Sequence, residues 1–151
     1  MSNGKGITPK KSERNSPMKK ILVLALAILT ATAVFASEPK EIFKATIDSD
    51  GVQRVDVLGG SYFFKPDYII VKVNVPVELK VRKESGVTPH DIKINAPDAG
   101  IDFKESLGSE PKVIRFVPTK TGKYPMTCSK KLLFFASHRE KGMEGTLEVI
   151  E

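Results

Sequence analysis

Hydrophobic and polar residues alternate along much of the chain with the period of a β-strand. From Ile69 to Val81 every odd-numbered position is apolar, and most even-numbered positions are polar or turn-forming. A period of two places alternate side chains on opposite faces of a strand, so this stretch predicts two strands that are joined near Asn74-Val75-Pro76. Further strands are predicted at 52–58 (closed by Gly59-Gly60), 90–94, 113–117, 123–128 and 145–150.

Proline and glycine separate these segments at almost every junction. About seven short strands at this spacing, with hardly a helical stretch, are typical of an all-β domain. We therefore expect an antiparallel Greek-key β-sandwich. Residues 99–109 are expected to be weakly helical or irregular and to interrupt the run of strands.

The N-terminal part of the chain predicts export. Residues 21–35 (ILVLALAILTATAVF) carry no charge, Lys19 and Lys20 precede them, and Val34 and Ala36 occupy the −3 and −1 positions of a cleavage site. This arrangement is typical of a secretory signal peptide, which we assign to 18–36, and the apolar run is short for a membrane span, which needs about 20 residues. An uncleaved anchor is the alternative, in which case the membrane would be a partner.

The segments on either side of the signal peptide complete the expected organisation. Met18 is an alternative start, so residues 1–17 are expected to be a non-native or disordered extension. Residues 37–50 form an N-terminal segment, and 51–151 form the single domain. We expect the mature protein in the periplasm or on the extracytoplasmic face of the membrane.

The positive charge lies almost entirely in the leader. The chain has a formal net charge of +6, of which residues 1–36 carry +5 and the remaining 115 residues carry +1. A basic patch suited to nucleic acid is therefore not expected in the mature domain.

Four residues carry the candidate chemistry. The chain has two histidines, His90 and His138, and one cysteine, Cys128, and the last part reads Cys128-x9-His138-x4-Met143. Two imidazoles, a thiolate and an axial thioether are the ligand set of a blue-copper site, in which soft and borderline donors serve both Cu(I) and Cu(II). Each residue alone has an ordinary alternative: an inert buried thiol, a core histidine or a core methionine. Met126 is a less favoured axial candidate because it shares the strand parity of Cys128 and is expected to fill core.

Four segments resemble the cupredoxins, the family of plastocyanin and azurin. They are 64–71 (FKPDYIIV), Pro89-His90 with Asp91-Ile92, 122–128 (GKYPMTC) and 142–145 (GMEG), in the family's order. The resemblance covers 64 to the C-terminus. It implies one copper ion (Cu⁺/Cu²⁺) held at a type 1 site by His90, Cys128 and His138, with Met143 axial.

The sequence departs from that family at two places. Nine residues separate Cys128 from His138, where family members have only a few, and the closure entropy of the longer loop costs only about 1 kcal/mol. The loop could therefore be tolerated and still reshape the site. Asp91 stands where the family commonly has an asparagine that steadies the cysteine loop, so its hydrogen bonding is open.

The loop itself is a candidate docking surface. Leu132, Leu133, Phe134 and Phe135 form an apolar run beside basic residues that include Lys130 and Lys131. One interpretation is a plug for the top of the sandwich. The other is a docking patch for a redox partner, such as a c-type cytochrome or a membrane oxidoreductase, with the basic rim steering an acidic surface.

Two functions are compatible with these four residues. The first is a one-electron carrier, and the second is a non-redox copper carrier or assembly factor that uses the same ligands. A metal-free interaction module is disfavoured because all four ligands are present. Multicopper oxidase chemistry would need more histidines, and a zinc hydrolase with Glu140 or Glu144 as base fits Met143 poorly. We expect no enzymatic activity and no small-molecule substrate.

Overall fold

The computed structural model describes residues 41–131 and 136–151. These residues form ten strands and one short 3₁₀ turn, and none of their helical segments is long and apolar enough to cross a membrane. The strands are β1 (Ile42–Lys44), β2 (Gln53–Gly60), β3 (Phe63–Lys65), β4 (Tyr68–Lys72), β5 (Val77–Lys83), β6 (His90–Ala96), β7 (Ile101–Leu107), β8 (Lys112–Phe116), β9 (Gly122–Thr127) and β10 (Glu144–Ile150).

The strands lie in two sheets that enclose one apolar core. The larger sheet has the order β1-β4-β10-β9-β6-β7, and the smaller sheet has the order β3-β2-β5-β8. Apolar side chains at alternate positions of both sheets are buried, as in β5, where Val77, Leu79 and Val81 are at most 1% exposed. The expected all-β sandwich is confirmed, and so are two strands joined near Asn74-Val75-Pro76.

The strand pairing is mixed, whereas the sequence predicted an antiparallel sandwich. β4 pairs in parallel with both β1 and β10, and β2 pairs in parallel with β5. Parallel neighbours arise because strands that follow one another along the chain, such as β4 and β5, lie in different sheets. Each then pairs with strands from distant parts of the sequence.

The region expected to be weakly helical or irregular is a strand. After the 3₁₀ turn Pro97–Ala99, β7 pairs antiparallel with β6 over seven residues, from Ile101 to Leu107. Both end residues are buried, but Glu105 lies at a half-buried position between them. That glutamate interrupts the apolar alternation on which the sequence prediction depended. Gly59 and Gly60, expected to close β2, are its last two residues.

A buried glutamine joins the two sheets near the start of β2. Gln53 is fully buried, and its side-chain amide donates to the backbone carbonyls of Lys72 and Val75 at 3.2 and 3.4 Å. Its Oε1 accepts the Lys72 N–H at 2.6 Å. These bonds fix the turn between β4 and β5 against β2.

Candidate metal centre

His90 is the first residue of β6 and points into the sandwich. It shares strand parity with Ile92 and Ile94, which are at most 1% exposed, and the histidine itself is 5% exposed. Because the alternation of β6 is set by these two isoleucines, the same pattern directs the imidazole inward at the end of the core.

Cys128 directly follows β9 and is also directed inward. It shares parity with the fully buried Met126 and is 1% exposed. Its Sγ accepts the backbone N–H of Asp91 at 3.5 Å, which joins the end of β9 to the start of β6. Met126 packs in the core beside Gly145, where a β-carbon would lie 2.8 Å from its Cε.

His138 is brought to the cysteine by backbone hydrogen bonds across the loop. Its N–H donates to the Lys130 carbonyl at 3.0 Å, and Lys131 forms an isolated bridge with Ser137. The segments that carry the two ligands are therefore joined by backbone contacts, although nine residues separate Cys128 from His138.

The backbone of Met143 is hydrogen-bonded to both Cys128 and His138. Its N–H donates to the His138 carbonyl at 2.9 Å, and its carbonyl accepts the Cys128 N–H at 3.2 Å. The side chain is fully buried, with Cε near Gly59 of β2. Its backbone is thus fixed beside the cysteine and the histidine, while its axial role stays a prediction.

The ligand atoms of the two histidines and the cysteine form one cluster. The two Nδ1 atoms are 3.1 Å apart, and the His138 Nδ1 lies 3.6 Å from the Cys128 Sγ. All three ligand atoms lie within 4.8 Å of one another. Three atoms that each lie about 2.0–2.3 Å from one ion in a trigonal plane are separated by about 3.5–4 Å. The cluster therefore fits a type 1 site with few adjustments.

The protonation states of the cluster suit metal binding. Burial lowers the pKa of His90 and of His138, and the charges of Lys83 and Lys141, respectively, lower them further. Both imidazoles are therefore neutral at pH 7, which is the form that binds metals. Burial raises the pKa of the Cys128 thiol, so a metal ion must displace its proton.

Asp91 steadies the cysteine loop with its carboxylate. Although Asp91 belongs to β6, its side chain is 1% exposed and both its oxygens accept hydrogen bonds from Ser129, from the N–H and the Oγ, at 2.6 Å each. Burial acts to raise the pKa of Asp91, but the Ser129 bonds and Lys104 lower it below its ordinary value. The carboxylate thus takes over the steadying role that the sequence left open for this position.

The acidic residues considered as a hydrolytic base have other partners. The Oε2 of Glu140 accepts the Ser137 N–H and Oγ–H at 2.6 and 2.8 Å, and Glu144 forms an ion pair with Arg139 at 3.5 Å. A carboxylate that is engaged in this way is poorly placed to activate a water for hydrolysis.

The predicted docking run lies outside the described residues. Leu132, Leu133, Phe134 and Phe135 form that gap, and of their basic neighbours Lys130 is half-buried and Lys131 is exposed. The docking patch and the plug therefore both stay predictions.

Tyr62 is a site residue that the sequence did not reveal. Its ring stands edge-on to His138, with centroids 5.1 Å apart, and to His90, with centroids 6.4 Å apart. It lies in the turn between β2 and β3, far in sequence from both histidines, and nothing in its spacing links it to them. The Gly59-Gly60 pair that precedes the turn is the only local signal that the backbone is unusual there.

Solved structures similar to this chain include copper proteins. The metal-binding domain of the Cu(I)-exporting P-type ATPase CopA of Streptococcus pneumoniae, solved with Cu(I), matches at a TM-score of 0.58 and 22% identity, over 76% of this chain and 100% of that one. Reduced auracyanin of Roseiflexus castenholzii matches at 0.52 and 17% identity, over 65% and 97%. The chain has the cupredoxin fold.

A third similar structure has a known location. It is the periplasmic domain of cytochrome oxidase subunit II (CoxB) of Bradyrhizobium japonicum, with a TM-score of 0.50 and 14% identity over 65% of this chain and 83% of that one. A scan of protein-family models and a comparison with curated protein sequences each found no match.

Proposed function

We propose that this cupredoxin-fold protein binds one copper ion and carries single electrons. The observation that supports the proposal most directly is the buried cluster of His90, Cys128 and His138, whose ligand atoms lie within 4.8 Å of one another. When bound, copper in such a site exchanges one electron between Cu(I) and Cu(II). A thiolate and two imidazoles held by a β-sandwich leave the ion little freedom to rearrange as its charge changes.

In this proposal each ligand has a distinct role. The Cys128 thiolate and the Nδ1 atoms of His90 and His138 would hold the ion, and the Met143 thioether would be a fourth, weaker donor. Backbone bonds tie Met143 to both Cys128 and His138, so three of the four ligands belong to one connected loop. His90 arrives from β6, and the N–H of Asp91 on the cysteine sulfur connects it to that loop.

The second candidate is a copper carrier without a redox role. It is favoured by the similarity to a metal-binding domain of a Cu(I)-exporting ATPase and to a copper-binding protein solved in its apo form, the latter with a TM-score of 0.52 and 20% identity over 74% of this chain and all of that one. A carrier must release its ion to a recipient, so its site would open readily. The electron carrier is preferred here because both histidines and the cysteine are buried.

We further propose that the protein works outside the cytoplasm with a redox partner protein. The signal peptide predicted at 18–36 supports export, and a periplasmic domain is among the similar structures. The ligand loop, residues 128–144, contains four basic residues, among them the exposed Lys131 and Lys141, against Glu140 and Glu144, a net charge of +2. Positive charge at this end would attract a partner with an acidic surface.

The test is the visible spectrum of the purified protein with one equivalent of Cu(II), with Cys128→Ser as control. An intense thiolate-to-copper band that bleaches with ascorbate and returns with ferricyanide, and that the control lacks, is the expected result. A weak band, or one that decays as the thiol oxidises, would favour the copper carrier. No copper uptake would contradict both functions.

A further inference from the structure

A side chain from the other sheet packs against the two histidines of the cluster. His90 and His138 are 5% and 3% exposed, whereas Tyr62 is partly exposed. The tyrosine ring is almost perpendicular to both imidazoles, at interplanar angles of 84° and 81°. Edge-to-face contacts of this kind are favourable beyond the area that they bury.

Lys141, three residues after His138, holds Tyr62 in this position. Lys141 Nζ donates to the Tyr62 hydroxyl at 3.1 Å and lies 4.6 Å from the centroid of its ring. The Lys141 N–H in turn donates to the Ser137 carbonyl at 3.1 Å. The tyrosine is therefore tied to the same loop that supplies His138, although it belongs to the opposite sheet.

The turn that carries Tyr62 is shaped for this contact. Tyr62 has a φ of 68°, in the left-handed region that a residue with a side chain seldom adopts. A β-carbon at Gly60 would overlap the Phe63 ring, which would have to move to accommodate it. A non-glycine residue in a rare conformation above a buried site is a feature that points to a function of that side chain.

We infer that Tyr62 is a removable cap on the histidine side of the centre, held closed by Lys141. The ring limits the access of solutes to His90 and His138, and through them the exchange of the bound ion. The inference rests on the proposed copper site, and it deepens it: it assigns control of access to a residue that does not bind the metal. A cap that stays closed suits an electron carrier, and one that opens on contact with a recipient suits a copper carrier.

A small pocket lies beside the cap. A polar pocket of about 50 Å³ lies next to His90 and is lined in part by Ser61, Lys83 and Thr88. At about 10–15 Å³ of such volume for each water, the pocket holds a few water molecules. Displacement of Tyr62 is expected to widen the access of a chelator or an acylating reagent to the imidazoles.

The first experiment uses the metal-free protein. Carbethoxylation of His90 and His138 by diethyl pyrocarbonate is followed by peptide mass spectrometry in wild type and in Tyr62→Ala, Tyr62→Phe, Tyr62→Leu and Lys141→Met. The expected result is modification about two- to tenfold faster in Tyr62→Ala and an intermediate rate in Lys141→Met. Tyr62→Phe loses the hydrogen bond to Lys141 but keeps the ring and its contact with the lysine, so a smaller acceleration than in Lys141→Met is expected. Lys141→Met changes an exposed side chain and carries the test if the alanine variant does not fold. Tyr62→Leu keeps apolar bulk but loses the aromatic contacts and the hydrogen bond, and should react at an intermediate rate.

A second tyrosine provides the matched control. Tyr124 on β9 is also half-buried and donates its hydroxyl hydrogen bond to the Lys120 carbonyl at 2.9 Å, at the end of the strand away from Cys128. Tyr124→Ala should leave the histidine rates unchanged. Equal acceleration in Tyr124→Ala, or unchanged rates in all Tyr62 and Lys141 variants, would overturn the cap.

The second experiment measures copper release from the loaded protein to an excess of a Cu(I) chelator. The same order of variants is expected, with Tyr62→Ala fastest, Lys141→Met next, and Tyr62→Phe between Lys141→Met and wild type. A protein that takes up no copper would contradict the proposed function while leaving the modification rates of the apo protein to decide the cap. Copper release that is equal in wild type and Tyr62→Ala would contradict the cap while leaving the copper site intact.

Discussion

The Asp91 carboxylate accepts both hydrogen-bond donors of Ser129, and so joins the residue after the first histidine to the residue after the cysteine. The two bonds are short, at 2.6 Å, and lie in a part of the protein where Asp91 is 1% exposed. Groups that orient metal ligands without binding the ion tune the affinity of a site. This contact is therefore the main support of the cysteine loop on the β6 side.

Removing the Asp91 carboxylate should weaken both the fold and the site. We expect Asp91→Ala to lower the free energy of unfolding of the apo protein by about 1–3 kcal/mol, because Ser129 loses a buried charged acceptor. Copper affinity should fall by about 10- to 100-fold. Ser129→Ala, which loses one of the two bonds, should show a smaller loss in both.

Urea unfolding and competition with a copper chelator check this expectation. Ser106→Ala is the control, because Ser106 lies opposite Asp91 in the β6–β7 register and is exposed. An Asp91→Ala protein with wild-type copper affinity would contradict the assigned role.

Substitution of the two buried methionines in turn should identify the axial ligand. Met143→Leu should keep the thiolate band and raise the reduction potential, since loss of a donor and a more apolar site disfavour the more highly charged Cu(II). Met126→Leu is the same substitution at another fully buried position and should leave the potential unchanged. Each exchange conserves volume and should cost less than about 1.5 kcal/mol of stability. Voltammetry measures the reduction potential of each variant. A shift found only in Met126→Leu would assign the axial role to Met126 instead of Met143.

The stability of the apo protein should depend on pH through the cluster. The pKa of each histidine in the folded state lies below its ordinary 6.5, so the stability that they contribute is present above that value and is lost as the pH falls below it. The raised pKa of Cys128 has the opposite consequence: stability is lost as the pH rises above 9.0. Maximum stability is expected between these limits.

Urea unfolding of the apo protein at pH 7.5 and pH 5.0 tests the acid side. Wild type should lose stability between the two conditions, and the double variant His90→Gln, His138→Gln should lose clearly less. An equal loss in both proteins would assign the effect to other groups. Copper affinity should fall over the same interval, because protons compete with the ion for the imidazoles.

Gln53 is expected to be the most sensitive polar residue outside the metal centre. Gln53→Ala removes a fully buried side chain together with the 2.6 Å acceptor of the Lys72 N–H, and we expect a loss of about 1–3 kcal/mol in the free energy of unfolding. Asp56→Ala on the outer face of the same strand should change stability by less than about 1 kcal/mol. Similar losses in the two variants would show that the buried glutamine has no special role.

The apolar run of the ligand loop is tested by electron transfer. If it docks a partner, the double variant Phe134→Ser, Phe135→Ser should slow reduction of a soluble c-type cytochrome about two- to tenfold while the copper band stays unchanged. Lys130→Gln with Lys131→Gln should reduce the salt dependence of the rate, and Lys120→Gln, which precedes β9 at its other end, should not. An altered copper band in the phenylalanine variant would instead support the plug.

The sequence by itself predicted seven of the ten described strands and the three residues that form the buried cluster. Period-two alternation is a local property, since the side-chain faces of a strand follow from its own residues, and it placed His90 and Cys128 on the inward parity of β6 and of the segment that ends β9. The donor types then indicated copper, because two imidazoles, a thiolate and a thioether suit copper better than other ions.

The tertiary structure decided what depends on distant segments. Parallel pairing of β2 with β5 and of β4 with β10 follows from which sheet each strand joins, which alternation does not specify. β7 was missed because Glu105 masked its pattern, and the pairing with β6 supplies the hydrogen bonds that local preference did not predict. Tyr62 and His138 are separated by most of the domain in sequence and meet only because two sheets close on one core. A contact between sheets depends on the packing of the whole domain, and no periodicity in the chain encodes it.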